Sequence, residues 1–248
     1  MMICGHRGAS LEAPENTLGG FRHARQVGAR AIELDVRLSQ DGQCVVIHDD
    51  TVDRTTDGRG PVRQHTAEAL ARLRAHGRFP EWPTHEGVPT LQAALECISD
   101  MELILIEIKK PREADHPVIC DQVMGLIDGL NLGDRAVVAS ADAAFLAFAR
   151  RARPEQPRGM IGGRGVVELA MEHGCAWVMA QFQSIDADTV RQVQARGMRV
   201  ACWTPNTEQE LAQTIALRPD VVITDMPTTA LRLISPAGAA GSGNPSDR

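Results

Sequence analysis

Short apolar runs alternate along the chain with longer stretches in which apolar side chains recur every three or four positions. The first kind of run reads as buried strand, the second as amphipathic helix. Strands are expected at residues 2–5, 32–36, 102–108, 136–140, 159–161, 176–180, 199–203 and 221–224. The spacing predicts a first helix over 15–27, with Leu18, Phe21, Ala24 and Val27 on one face and Gly28 as its stop. Thr90 caps a helix carrying Leu91, Ala94, Leu95 and Ile98, and Pro117 opens one carrying Ile119, Val123, Ile127 and Leu130. Helices over 143–151, 166–173 and 187–196 continue the alternation. Thr207 with Glu210 then forms a capping-box signature for a helix over 208–217.

Two features interrupt this rhythm. The strand at 32–36 is followed by an Asp41-Gly42 turn and a second apolar run over 44–48, which is a hairpin pattern. Folded about that turn, the ribbon sets Asp35 opposite His48 and Val36 beside Ile47. Glu33 and Asp35 differ by two, so both carboxylates leave the same face of their strand. Residues 49–89 then hold Arg54-Thr-Thr-Asp-Gly58, one short helix near 66–73, and Pro80, Pro83 and Pro89. About forty residues with so little apolar content cannot close a core alone, so they read as an insertion rather than a domain.

Without the hairpin return, eight strands are separated by helices. Eight strand-then-helix units with nearly continuous apolar strands predict a closed (β/α)8 TIM barrel, with an added hairpin strand after the second strand and the small insertion at about 49–89. An open doubly wound sheet would be expected to announce a Gly-rich first turn opening a helix, and Gly5-His-Arg-Gly8 matches that poorly. One domain is expected over 1–234, followed by a disordered Pro-, Ala-, Gly- and Ser-rich tail over 235–248.

Composition narrows the function classes. At 43% hydrophobic the chain has ample core, and a formal net charge of −6 argues against a nucleic acid or an anionic membrane as main partner. No apolar run approaches the roughly 20 residues that span a bilayer. The first residues carry no basic n-region or apolar h-region, so a signal peptide is not expected. Cys4, Cys44, Cys97, Cys120, Cys175 and Cys202 are scattered without a Cys-x-x-Cys pair. Reduced, buried thiols and a cytoplasmic protein are expected. Oligomeric state is not readable, there being no exposed helical heptads.

In a (β/α)8 barrel the active site lies at the C-terminal ends of the strands. There the first strand delivers His6 and Arg7, the second Glu33 and Asp35 with His48 alongside, and the third Glu107 and Lys109. The last two end at Trp203 and at Thr224-Asp225. Three carboxylates from adjacent strands make a hard oxygen site suited to Mg²⁺, Ca²⁺ or Mn²⁺. Arg7 and Lys109 beside it point to an anionic substrate, with phosphate as the natural candidate. Two histidines supply one general acid and one general base near neutral pH. Cation, fixed positive charges and an acid–base pair together describe phosphoester cleavage. Trp82, Trp177 and the histidines at 23, 65, 76, 85, 116 and 173 are read as structural or surface residues.

These residues fall into a known order: His6-Arg-Gly8, Pro14-Glu-Asn-Thr17, Glu33-Leu-Asp-Val36, Asp41-Gly42, His48-Asp49, Arg54-Thr-Thr-x-Gly58, Pro89-Thr-Leu91, Ile106-Glu-Ile-Lys109, Trp203-Thr204 and Thr224-Asp225. From residue 5 to about 227 the chain resembles the glycerophosphodiester phosphodiesterases, within the phospholipase C-like phosphodiesterase type of barrel. The resemblance implies metal-dependent hydrolysis of a glycerophosphodiester to sn-glycerol 3-phosphate and an alcohol. It implies Glu33, Asp35 and Glu107 as metal ligands, His6 and His48 as the acid–base pair, and Arg7 and Lys109 at the phosphate. It further implies Glu15 as a supporting carboxylate, Trp203 as a wall for the glycerol, and the insertion as a cover for the barrel mouth. Two positions depart from the family pattern. Ser140-Ala141-Asp142 stands where many relatives have Ser-Phe, and Pro205 stands where a valine is usual. Both are expected near the leaving alcohol. A lyase releasing a cyclic phosphate, or an idle barrel that only binds phosphodiesters, are the rival expectations.

Overall fold

In the computed structural model, which describes residues 1–235, the strands are β1 (Met2–Gly5), β2 (Ala31–Leu38), β3 (Cys44–Val46), β4 (Leu103–Ile108), β5 (Ala136–Ser140), β6 (Arg158–Gly162), β7 (Trp177–Gln181), β8 (Arg199–Trp203) and β9 (Val221–Thr224). All but β3 run parallel in the ring β1-β9-β8-β7-β6-β5-β4-β2, which the β1–β2 pairing closes. The closed eight-stranded parallel barrel is therefore present, with β3 bonded outside the ring. The helices are α1 (Leu18–Gln26), α2 (Ala67–Arg72), α3 (Leu91–Cys97), α4 (His116–Gly129), α5 (Ala143–Ala152), α6 (Val166–Glu172), α7 (Ala187–Ala195), α8 (Glu208–Ala216) and α9 (Pro227–Ile234). The tail expected from residue 235 falls, except for Ser235, outside the described residues.

One boundary and one whole element differ from the sequence reading. Helix α1 begins at Leu18 rather than 15, because Thr17 is extended and its hydroxyl accepts from the Gly20 amide. Pro14, Glu15 and Asn16 are thereby freed to form a loop at the barrel mouth. Helix α9 was absent from the expected elements, although Pro227 opens it and Ala230 is buried in a small cluster with Ile3, Leu211 and Val222. Two histidines read as surface are buried: His76 accepts from the Arg74 guanidinium, and His116 packs edge-on against Phe145 and Phe148.

The core has two layers. Cys4, Ala31, Leu103, Leu105, Val137 and Ala139 fill the barrel interior with residues from the other strands. The alternate residues, such as Ile32, Leu34, Ile104 and Ile106, face outward onto α1, α3 and α4. Because Ala31, Glu33 and Asp35 share a face, β2 is apolar at the bottom of the barrel and acidic at its top. The same holds for Leu103, Leu105 and Glu107 on β4, and the register sets Asp35 beside Glu107.

The hairpin corrects an expectation. Val36 pairs with Val46, Arg37 with Val45 and Leu38 with Cys44, so Asp35 faces Ile47 and not His48. A two-residue Asp41-Gly42 turn would have produced the expected pairing. Instead Gln40, Asp41 and Gly42 form a three-residue loop closed by the Ser39 amide on the Gln43 carbonyl. Gly42 sits at φ +72°, the left-handed position that such loops require. His48 consequently lies just past β3, where the chain bends.

Candidate active site

One edge of β2 is shared between two neighbours. Ala31 and Ile32 pair with β1, while Val36 to Leu38 pair with β3. Strand β3 thus continues that edge above the point where β1 stops. The loop after β1 and the bend after β3 both open onto the same mouth. His6, Arg7, Glu33, His48, Glu107, Lys109 and Trp203 all line one cavity of about 240 Å³, completed by Ile161, Met179, Thr204 and Ile223. Asp35 lies beneath it, fully buried, and Glu15 reaches it through Arg7. Every site residue expected from the sequence is brought into this neighbourhood.

Its acidic floor has the form of a cation site. One oxygen each from Glu33, Asp35 and Glu107 can be chosen so that all lie within 4.8 Å of one another. Glu33 Oε1 and Asp35 Oδ1 are buried without a hydrogen-bond partner. Burial, followed by the charges of Asp35 and Glu107, pushes the Glu33 carboxyl up to about 8. Burial and the charge of Asp35 also raise Glu107, against the opposing pull of Lys109. Unpaired buried carboxylate oxygens are costly, and a hard cation would satisfy them. The donor set therefore fits a divalent ion.

Cations and a buried amide hold the floor in place. Lys109 Nζ donates to Glu107 Oε1 at 2.7 Å and lies 3.6 Å from Asp35 Oδ1. The Arg7 backbone amide donates to Glu33 Oε2 at 3.0 Å, and its Nε lies 3.3 Å from Asp35 Oδ2. Although burial opposes ionisation of Asp35, Arg7 and Lys109 hold its pKa below the usual carboxylate value. Asn16 clasps Asp35 twice. Its Nδ2 donates to Oδ2 at 2.8 Å, and its Oδ1 accepts from the Asp35 amide at 3.3 Å. Arg7 and Asn16 have φ of +53° and +54°. Two neighbouring left-handed non-glycine residues mark a backbone bent to serve the site.

Each histidine is seated on a carboxylate through Nδ1, which leaves Nε2 for the cavity. His6 Nδ1 lies 2.5 Å from Asp225 Oδ1, and His6 Nε2 lies 3.8 Å from Glu33 Oε2. Asp225 also accepts from Ser10 Oγ at 2.5 Å and from Asn206 Nδ2 at 2.6 Å. Burial opposes charge on His6, yet the hydrogen bond to Asp225 and the charge of Glu33 leave its pKa raised. His48 Nδ1 lies 2.7 Å from Asp49 Oδ1. Burial lowers the His48 pKa, outweighing the opposing pull of Asp35. Asp49 is bound by Arg54, which also grips both oxygens of Glu15. The insertion is thus tied to the Glu15 loop, and through Glu15 to Arg7 at 2.9 Å.

Asp225 and Asn16 were missed as functional positions, although both stand inside the motifs that carried the resemblance. A carboxylate at the end of the last strand was the signal for Asp225. Its neighbour His6 is 219 positions away in sequence, so the contact itself was invisible. Of the departures from the family pattern, neither Ala141, Asp142 nor Pro205 lines the cavity. Asp142 instead caps α5 through the Ala144 and Phe145 amides.

Comparison with known proteins agrees with this geometry. Residues 6–229 match the model of the glycerophosphoryl diester phosphodiesterase family. A glycerophosphodiester phosphodiesterase of Caldanaerobacter subterraneus is 33% identical over 241 residues, covering 96% of this chain and 99% of that protein. Among solved structures, an Oleispira antarctica phosphodiesterase in complex with the product sn-glycerol-3-phosphate superposes with a TM-score of 0.87. It is 29% identical and the match covers 95% of this chain and 97% of that one. A glycerophosphodiester phosphodiesterase from Agrobacterium tumefaciens gives 0.82 at 27% identity, over 94% and 99%. The chain belongs to the glycerophosphoryl diester phosphodiesterase family.

Proposed function

We propose that this protein hydrolyses glycerophosphodiesters to sn-glycerol 3-phosphate and an alcohol, with a divalent cation held by Glu33, Asp35 and Glu107. The observation that carries the reading is the convergence of those three carboxylates, two carboxylate-seated histidines and Lys109 on one cavity. The relative bound to sn-glycerol-3-phosphate supports the same product. The match over 6–229 supports reading residues 1–234 as one catalytic unit.

When bound, the cation would supply Lewis-acid polarisation of a phosphoryl oxygen. Oxygen ligands alone favour Mg²⁺, Ca²⁺ or Mn²⁺. Lys109 and Arg7 neutralise the phosphate and the charge that develops on it. Of His6 and His48, one removes the proton of the attacking oxygen and the other protonates the departing alkoxide. Asp225 and Asp49 fix which ring nitrogen each presents. Glu15 keeps Arg7 in place, while Trp203, whose Nε1 donates to the Met179 carbonyl at 2.9 Å, forms with Ile161 and Ile223 the wall for the glycerol. Six free thiols and no described helix able to cross a membrane fit a reducing, cytoplasmic setting.

The test is release of sn-glycerol 3-phosphate from glycerophosphocholine and glycerophosphoethanolamine, abolished by chelation and restored by one of the three cations. Phosphorus NMR of the products separates direct attack by water from attack by the glycerol 2-hydroxyl, because a cyclic phosphate accumulates only in the latter. His6→Ala and His48→Ala should each cost on the order of 10²–10⁴ in kcat. Near-normal turnover in either variant would remove that histidine from the mechanism.

A further inference from the structure

Lys109 lines two cavities. One is the 240 Å³ cavity of the site, and the other, of about 180 Å³, lies between the end of β2, residues 61–63 of the insertion and the start of α4. A phosphodiester has two alcohol arms. Lys109 is common to both linings, so a diester with its phosphate at Lys109 would direct one arm toward each cavity. Glycerol fits the larger one beside Trp203, which leaves the smaller for the alcohol that departs.

The charges around this second cavity are unequal. Arg63 on one wall is bound to Asp115, and Lys109 is bound to Glu107. Arg37 is different. It follows Asp35 by two on β2, so it leaves the same face about 7 Å nearer the mouth. Its Nε donates to the His48 carbonyl at 2.8 Å, and the carboxylates that act on its charge, Asp50, Asp35, Asp49 and Glu107, do so from beyond ion-pair distance. Asp50 lines the same cavity from an exposed position. A half-buried guanidinium with no carboxylate in direct contact has lost hydration that an arriving anion can replace by charge-assisted hydrogen bonds.

We propose that the 180 Å³ cavity receives the leaving alcohol and that Arg37 selects alcohols bearing a carboxylate. The inference rests on the phosphodiesterase reading above, and it adds a substrate class to it. Glycerophosphoserine and glycerophosphoethanolamine test it, because they differ only by the carboxylate on the leaving arm. The wild-type protein should favour the serine diester in kcat/KM. Arg37→Gln should lower the serine-to-ethanolamine ratio about ten- to a hundredfold, and Arg37→Lys, which keeps the charge, should retain more of it. Arg37 also braces His48, so both rates fall together and the ratio is the informative quantity. A ratio unchanged in Arg37→Gln overturns the proposal, as does a wild-type preference for ethanolamine. Should wild type cleave neither diester, the hydrolase reading fails while the subsite is still decided by calorimetric binding of the same two compounds. Tighter binding of the serine diester, lost in Arg37→Gln, supports the subsite, and equal binding overturns it. If Arg37→Gln does not fold, Arg37→Met, which also removes the charge, takes its place, and an unchanged ratio there overturns the proposal in the same way.

Discussion

Asp225 holds His6 at 2.5 Å and is itself held down to about 2 by His6, Ser10 and Asn206 against the opposing effect of burial. The pair links pH to stability with a definite sign. A carboxyl with a depressed folded pKa stabilises the fold above its unfolded value of about 3.9, and that contribution disappears as pH falls through the folded value. His6, raised, stabilises below its unfolded value of about 6.5, and its contribution disappears as pH climbs through the folded one. In metal-free protein, the stability lost in Asp225→Asn should therefore peak between about pH 4 and 6.5, read from urea midpoints. A loss that does not vary with pH would dissolve the pairing. Asn16 supports a second expectation. It orients Asp35 from both sides, so Asn16→Ala should weaken divalent-cation affinity about 10- to 100-fold, measured by calorimetry. At this scale Glu33, Asp35 and Glu107 were legible because a strand alternates faces with period two. The partners Asp225 and Asn16 were not, because nothing local to them announces which distant group they touch.

At the scale of elements, the hairpin decides where His48 stands. The apolar alternation on both sides of Asp41-Gly42 was enough to predict a hairpin, but not its loop length. The register follows from Gly42 at φ +72° in a three-residue loop, a matter of one backbone torsion. No atom stands within 4 Å of a Cβ built on Gly42, so Gly42→Ala should cost only the left-handed backbone penalty of about 1–2 kcal/mol. Equilibrium unfolding checks this, and a neutral result would show the loop free to change type. Strand β3 also anchors the insertion. Val45 and Ile47 pack with Val52, Val62, Leu70 and Val88, so the insertion completes its small core with residues borrowed from the hairpin. That agrees with the expectation that it could not close a core by itself. The error at α1 has a similar local origin: the apolar face begins only at Leu18, and the Thr17 cap starts the helix there.

Across the whole molecule, charge and burial are arranged along the barrel axis, with apolar layers below and the acidic floor above. A cation bound at that floor acts on the folded state alone. At a hundredfold excess over Kd it should add about 2.7 kcal/mol, seen as a raised melting temperature that Glu33→Gln abolishes. Absence of any shift with Mg²⁺, Ca²⁺ and Mn²⁺ would contradict the cation site. Burial likewise predicts thiol behaviour. Cys44 and Cys202 are pushed up to about 12, and of the six cysteines only Cys97 is partly exposed. Native protein should react with a thiol reagent at one position at most, and denatured protein at six. By itself the sequence determined the strand count, the barrel class and the carboxylates, because periodicity and strand-end position are properties of short segments. Tertiary structure alone decided that β3 continues the edge of β2 above β1, that Asp225 seats His6, and that Lys109 stands between two cavities. Those facts depend on ring closure and on contacts between residues far apart in the chain, where no local pattern records the partner.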